Sequence, residues 1–184
     1  MKKTIAFLLA VVLFFVLHEG LHALTALPFG EYQSFQIRPL GFEVVFNTPV
    51  ADRTGSHWAL ISGASNLATI LMGYTLLALA SCTARLRSAF LQALLFYLAF
   101  LGLLADPLNL SIGPLIYGGD ANGIAFGLGI SRWIIQVVFG LIFLVNHELV
   151  ARVLVPAYGV ETDHFLLRPW MGKILKSWPM PEYR

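Results

Sequence analysis

Charged residues are scarce in this chain of 184 residues, because only 12% are Asp, Glu, Lys or Arg. Soluble domains average about 25%, and 58% of the residues here are hydrophobic. One soluble domain of this length could not bury so much apolar surface, so lipid must be part of the solvent. The formal net charge of +2 is too small to argue for a nucleic-acid partner.

Cysteine is nearly absent from the chain as well. Cys82 is the one cysteine, which excludes an intramolecular disulfide and a cysteine-rich zinc site. The ligands of any bound metal must then be histidines and carboxylates.

Long apolar runs make up most of the chain. A helix that spans a bilayer needs about 20 predominantly apolar residues. Four segments meet that requirement, namely residues 4–26, 57–81, 88–105 and 130–155. The first could instead be a signal peptide, with Lys2 and Lys3 as its charged region. Three further spans follow, and Leu24 is a poor residue for a cleavage signal, so we expect a retained helix.

Residues 32–46 differ from these runs, since aromatic and β-branched side chains surround a turn-like sequence at 38–41. This pattern predicts a β-hairpin. We expect a Gly- and Pro-rich loop at 106–129 and a cytoplasmic or membrane-surface tail at 156–184. The predicted fold is an all-α polytopic membrane protein with about four transmembrane helices. Residues 1–155 form its membrane-embedded core, with a small β-hairpin between the first two helices.

Basic residues are distributed unevenly about the four predicted spans. Of the 12 Lys and Arg residues, the side opposite the two termini holds only Arg38, Arg53 and Arg132. The positive-inside rule makes the richer side cytoplasmic. We therefore expect a multi-pass protein of the inner membrane of a prokaryote, with its N- and C-termini in the cytoplasm.

The end of the first span carries the sequence His18-Glu19-Gly20-Leu21-His22. Histidines four residues apart lie on one helix face, where they can share a zinc ion. The neighbouring Glu19 can then take a proton from a water molecule that the metal activates. His18 follows Lys3 by about 22 Å of helix, which places it below the far surface of a hydrocarbon core about 30 Å thick. Ionisable groups at that depth are costly and usually functional.

A zinc site at these histidines requires at least one further protein ligand, and catalytic sites commonly use a carboxylate. Asp120, in a Gly-rich segment, is slightly favoured by its position, although an Asp beside glycines is often a turn residue. The other candidates on the same side of the membrane are Glu31, Glu43, Asp52, His57 and Asp106.

Three stretches of the chain together resemble the signatures of one family. The first is the H-E-x-x-H sequence at 18–22, and the second is Gly-Ala-Ser-Asn at 63–66. The third begins at Asn109, contains Pro114 and ends at Asp120. They are similar to the H-E-x-x-H, the Gly-Pro-x-x-Asn-like stretch and the Asp-Gly-terminated loop of the site-2 protease family of intramembrane zinc metalloproteases. Ala64 and Ala121 replace the Pro and the final Gly, and the resemblance covers roughly residues 15–123.

The resemblance implies roles for six residues. Zn²⁺ would be bound by His18, His22 and Asp120, Glu19 would be the general acid–base, and the substrate or its oxyanion would lie near Asn66 and Asn109. The expected activity is hydrolysis of a peptide bond in a membrane-bound substrate. Many family members open their site towards the cytoplasm, whereas the charge bias here places it outside. Either this is an outward-facing member or the orientation is reversed.

Two other functions stay open at this point. One is a metal-binding membrane protein without proteolysis, such as a sensor or a degenerate protease. The other is a small ion-coupled transporter in which buried His and acidic residues relay ions. The three signatures meet on one side of the membrane, which favours the protease.

Overall fold

The computed structural model describes residues 1–38, 41–116 and 119–171. Its helices are α1 Lys2–Ala26, α2 His57–Ala78, α3 Ala80–Thr83, α4 Ala89–Ile112, α5 Gly119–Leu128 and α6 Arg132–Leu149. Helix α6 continues as a π-helical turn, Val150–Leu154, and then as a short helix α7, Val155–Ala157. Short 3₁₀ turns lie at Leu27–Phe29, Val50–Asp52, Gly113–Leu115 and Phe165–Leu167. In this part of the chain four helical stretches are long and apolar enough to cross a membrane. The predicted class, a polytopic helical membrane protein, is confirmed.

The predicted hairpin is also confirmed. Strand β1, Tyr32–Arg38, pairs antiparallel with β2, Gly41–Phe46, and Phe35 lies opposite Val44. Residues 39–40, which join the strands, lie outside the described residues. Val44 is buried, and β2 packs against α1. The hairpin is therefore held to the first helix by its second strand.

The predicted loop at 106–129 is largely wrong, because α4 continues through Pro107 and α5 occupies most of the remainder. Proline removes one helical N–H and so frees the carbonyl oxygen of the residue four positions earlier, here Leu103. That oxygen accepts a hydrogen bond of 2.8 Å from Nδ2 of Asn146 on α6. A neighbouring helix thus satisfies the freed group, as the bilayer interior demands.

Helix α2 approaches both α4 and α5 at glycines. A Cβ added at Gly102 of α4 would lie 2.6 Å from the carbonyl oxygen of Thr69. One added at Gly127 of α5 would lie 2.1 Å from the backbone nitrogen of Ala59. Neither distance is tolerated by a real methyl group. The missing side chains let three helix backbones pack closely, as small residues do in membrane proteins.

The described part of the tail, residues 156–171, folds back on α6. The Trp170 indole stacks on the His147 imidazole with ring centroids 3.7 Å apart. The Glu148 carboxylate accepts hydrogen bonds from the backbone nitrogens of Trp170, at 2.6 Å, and Met171, at 2.8 Å. The rest of the predicted tail, residues 172–184, lies outside the described residues.

Candidate metal centre

Three side chains from distant parts of the chain converge at one end of the helical core. His18 and His22 of α1 and Asp120 of α5 place potential ligand atoms within 4.8 Å of one another. His18 Nε2 lies 3.2 Å from His22 Nε2 and 3.3 Å from Asp120 Oδ2. His22 Nε2 lies 3.2 Å from Asp120 Oδ1. The three residues predicted as ligands therefore form a group that can hold a metal ion.

The inward face of α1 explains the placement of the two histidines. Its buried residues recur every four positions, at Ala6, Ala10, Phe14, His18, His22 and Ala26. Side chains at this spacing lie above one another on a single face of a helix. Both imidazoles therefore point into the protein, and the flanking faces of α1 meet the lipid.

Asp120 reaches the histidines because α5 packs closely on α2. It lies in the first turn of α5, where the helix dipole favours a negative charge. Its Oδ2 accepts a hydrogen bond of 2.9 Å from Asn66 Nδ2. Burial acts to raise the pKa of Asp120, but the charges and hydrogen bonds of His22 and His18 outweigh it and hold that pKa well below its usual range. The carboxylate is thus ionised, as a metal ligand must be.

The outer nitrogens of the two imidazoles indicate which tautomers are present. His22 Nδ1 lies 2.7 Å from the carbonyl oxygen of Ile61. A carbonyl oxygen only accepts, so this Nδ1 carries the proton. His18 Nδ1 lies 3.2 Å from Asp106 Oδ1, in an ionic contact that is not aligned as a hydrogen bond. A carboxylate there favours a proton on Nδ1 as well. When the imidazoles are neutral, as metal ligands must be, both Nε2 atoms present lone pairs towards the carboxylate of Asp120, and a cation between them would relieve the repulsion.

The separation of the two imidazole nitrogens is the one expected of a tetrahedral zinc site. Zinc binds imidazole nitrogen at about 2.0–2.1 Å, and two corners of a tetrahedron lie about 1.6 bond lengths apart, or about 3.3–3.4 Å. The two Nε2 atoms lie 3.2 Å apart, close to that value, and each of them approaches a different oxygen of Asp120, at 3.3 Å for His18 and 3.2 Å for His22. Three protein ligands leave the fourth position for water or substrate, which is the pattern of catalytic zinc sites. The donor set and its spacing therefore fit zinc.

Glu19 lies beside the metal group in a cavity of about 500 Å³. Its Oε2 accepts a hydrogen bond of 3.0 Å from the backbone nitrogen of Val44 on β2. The cavity is bounded by α1, the hairpin, α4 and α5, and the lining comprises Phe14, Phe15, His18, Glu19, Arg38, Gly41, Phe42, Glu43, Ala105, Asp106, Asn109, Gly119 and Asp120. The cavity therefore reaches His18 and Asp120, two of the three candidate ligands, and Glu19, the expected general base.

The two asparagines predicted near the substrate lie in different surroundings. Asn109 lines the cavity. Asn66 is buried, 1% exposed, behind Asp120 and is not part of the lining. The amide of Asn66 donates a hydrogen bond to Asp120. The substrate roles of both asparagines stay predictions.

Four of the rival ligands are not part of the group formed by His18, His22 and Asp120. Glu31 and His57 face each other at 3.8 Å, and Glu43 forms an ion pair of 2.7 Å with Arg38. Asp52 is exposed. The fifth rival, Asp106, contacts the outer nitrogen of His18, which is the wrong side of that ring for an ion shared with His22.

Sequence patterns indicated only Asn66 of a buried polar row on α2. Four buried polar side chains share the inward face of this helix: Ser62, Ser65, Asn66 and Thr69. The Ser65 hydroxyl lies 2.9 Å from His22 Nε2, and the Thr69 hydroxyl donates to Asp106. Polar residues at helical spacing within an apolar span would have been the signal.

Comparison of the chain with protein-family models, with curated proteins and with solved structures finds no match. The functional interpretation therefore rests on the geometry of the metal group and on the residues around it.

Proposed function

We propose that this protein is a zinc metalloendopeptidase, similar to the site-2 proteases, that hydrolyses a peptide bond of a membrane-associated substrate. One observation carries the proposal. The Nε2 atoms of His18 and His22 lie 3.2 Å apart, each lies 3.2–3.3 Å from an oxygen of Asp120, and Glu19 lines a cavity with His18 and Asp120. Two histidines, one carboxylate and a second carboxylate as base are the parts that a hydrolytic zinc site needs.

The depth of the group supports cleavage within the membrane. Helix α1 begins at Lys2, and His18 follows it by about 24 Å at 1.5 Å per residue. That distance lies within a hydrocarbon core about 30 Å thick. Near the start of the connection from α4 to α5, Leu115 is 63% exposed and Ile116 79% exposed. Such apolar side chains are better accommodated by lipid than by water.

Each residue of the site has a separate role in hydrolysis. A bound zinc ion would polarise the scissile carbonyl and activate a water molecule. Glu19 takes the proton of that water and delivers it to the leaving amine, so one carboxylate serves as base and then as acid. Asn66 holds the carboxylate of Asp120 in place. Asn109, at the cavity wall, is positioned to hydrogen-bond the substrate backbone.

The hairpin offers an edge for an extended substrate. The backbone nitrogen of Val44 points away from β1, towards Glu19. Because the direction of backbone groups alternates along a strand, the N–H and C=O of Phe42 point the same way. Phe42 also lines the cavity. An unwound substrate segment added along this edge would pass directly in front of Glu19.

The test is a cleavage assay with a matched pair of variants. Purified protein is incubated in detergent micelles with zinc and with synthetic single-span peptides, and the products are identified by mass spectrometry. Glu19→Gln should lower the rate by about 10²–10⁴-fold, as loss of a general base does, and should retain zinc. Glu161→Gln makes the same chemical change at an exposed tail position and should be silent.

This assay, the zinc content of the variants and an ion-flux measurement together distinguish the three functions. Cleavage by Glu19→Gln at the wild-type rate would refute the mechanism. Bound zinc without any Glu19-dependent product would favour the non-proteolytic metal-binding protein. The small transporter predicts ion flux in vesicles that depends on His18 and Asp120, without tight zinc binding.

We further propose that both termini face the cytoplasm of a prokaryotic cell, because basic residues are concentrated on their side of the four spans. Cys82 provides a direct test, since it is exposed and is the one cysteine of the chain. In intact cells a membrane-impermeant maleimide should leave Cys82 unlabelled, and in inverted vesicles it should react. The reverse pattern would show that the orientation is inverted and that the site opens to the cytoplasm.

A further inference from the structure

We propose that Asp106 is the positioning residue of the metal centre, a carboxylate that orients His18 and adds negative charge to the site without binding the ion itself. This inference rests on the proposed metal site but not on proteolysis. Sequence reasoning had placed Asp106 among the rival ligands.

The contacts of Asp106 support an orienting role. Its Oδ1 lies 3.2 Å from His18 Nδ1, and its Oδ2 accepts a hydrogen bond from the Thr69 hydroxyl. The residue is 3% exposed. One oxygen is thus held by a hydrogen bond, and the other faces the outer nitrogen of His18. A carboxylate fixed at the outer nitrogen of a ligating imidazole sets its tautomer and ring orientation.

The geometry also excludes Asp106 as a ligand of the same ion. The Nδ1 and Nε2 atoms of an imidazole point away from each other. Nε2 of His18 faces His22 and Asp120, whereas Nδ1 faces Asp106. An ion held by His18 Nε2, His22 Nε2 and the carboxylate of Asp120 therefore lies on the side of the His18 ring opposite Asp106.

Charge balance gives an independent argument. A buried carboxylate within a spanning helix is costly unless a positive charge compensates it. In the described part of the chain the polar contacts of Asp106 are with His18 and Thr69, and neither is a permanent cation. Together with Asp120 and Glu19, Asp106 places three carboxylates around the histidine pair, and a bound zinc dication would compensate much of that negative charge.

The fold holds Asp106 in this position through the close contact of α2 and α4. Gly102 lies one turn before Asp106, and its missing side chain lets the backbone of α4 approach Thr69. The same approach brings the Thr69 hydroxyl to the carboxylate. Asn146 keeps α4 helical past Pro107 by binding the freed carbonyl, so the inward face of α4 continues through Asp106.

The experiment measures zinc affinity of the full-length protein in detergent by competition with a chromogenic chelator. Asp106→Asn keeps the size of the side chain and removes its charge, and it should weaken zinc binding by about 10–100-fold, as loss of an outer-shell partner does. Thr69→Val should weaken it less. In the double variant, Thr69→Val should lower the zinc affinity little beyond the effect of Asp106→Asn, because Thr69 acts through that carboxylate. Glu148→Gln, which neutralises a buried carboxylate in the distant α6 cluster, is the matched control and should leave the affinity unchanged.

A spectroscopic measurement separates positioning from ligation. Cobalt replaces zinc in such sites, and its visible absorption reports the ligand set and the geometry. Asp106→Asn should keep an intense tetrahedral spectrum at saturating cobalt, whereas Asp120→Asn should change it. Wild-type zinc affinity in folded Asp106→Asn, an equal loss in Glu148→Gln, or a cobalt spectrum altered as in Asp120→Asn would each overturn the inference. None of these results depends on whether a peptide is cleaved, and metal-free wild type would refute the metal site and this inference together.

Discussion

Substitution of one glycine far from the metal group should weaken metal binding. A Cβ at Gly127 would lie 2.1 Å from the backbone nitrogen of Ala59. Ordinary contact begins at about 3.4 Å, so α5 would have to move away from α2 by about 1.3 Å. Backbone atoms cannot rotate out of the way as a flexible side chain can. Gly127→Ala should therefore displace the whole of α5.

The displacement would also move Asp120, which lies about 10 Å from Gly127 along the same short helix. Metal–ligand distances tolerate changes of about 0.2 Å, which is far less than the required shift. We expect zinc affinity to fall by more than about tenfold, together with about 1–3 kcal/mol of destabilisation from overpacking. Chelator competition and thermal unfolding in detergent measure the two effects.

A second glycine provides the control. A Cβ at Gly140 of α6 would lie 3.7 Å from Ser111 Cβ, which is an ordinary contact, so Gly140→Ala should change neither zinc affinity nor stability. Wild-type affinity and stability in Gly127→Ala would refute the claim that close packing of α5 positions the third ligand.

Three further predictions concern the carboxylate of Asp120, the proline and the ion. Asn66→Leu removes the amide that donates to Asp120, so zinc affinity in the competition assay should fall by about tenfold or more. Asn146→Leu leaves the carbonyl oxygen of Leu103 without its donor, which should lower the free energy of unfolding by about 1–3 kcal/mol. In a Pro107→Ala background the restored helical N–H should reduce that loss, and an undiminished loss would contradict our account of α4. Removal of zinc by a chelator should lower the unfolding temperature, because an ion at about 1,000 times its Kd stabilises by about 4 kcal/mol; an unchanged unfolding temperature would argue against a bound ion.

The parts of this structure that follow local sequence rules were predictable. The hairpin follows from aromatic and β-branched residues around a turn, and the histidine pair follows from the i, i+4 geometry of one helix. Neither depends on a distant segment. Asp120 was selected through the signature resemblance, since spacing favoured it only slightly over its rivals.

The missed features depend on contacts between helices. Pro107 predicts the end of a helix by local rules, whereas α4 continues and the freed carbonyl oxygen is bound by the amide of Asn146, 39 residues later in the chain. That error made Asp106 a loop residue and hid its contact with His18. The rotation of α4 about its own axis determines which side of His18 the carboxylate meets, and no local pattern specifies that rotation.

The metal content of the purified protein tests the central claim most directly. Wild type, Glu19→Gln, His22→Ala and Asp120→Ala would be purified in detergent without chelators and analysed by mass spectrometry of the metals. We predict about one zinc per chain in wild type and Glu19→Gln, and none in the two ligand variants. A well-folded wild type without metal, or full zinc content in His22→Ala, would contradict the account.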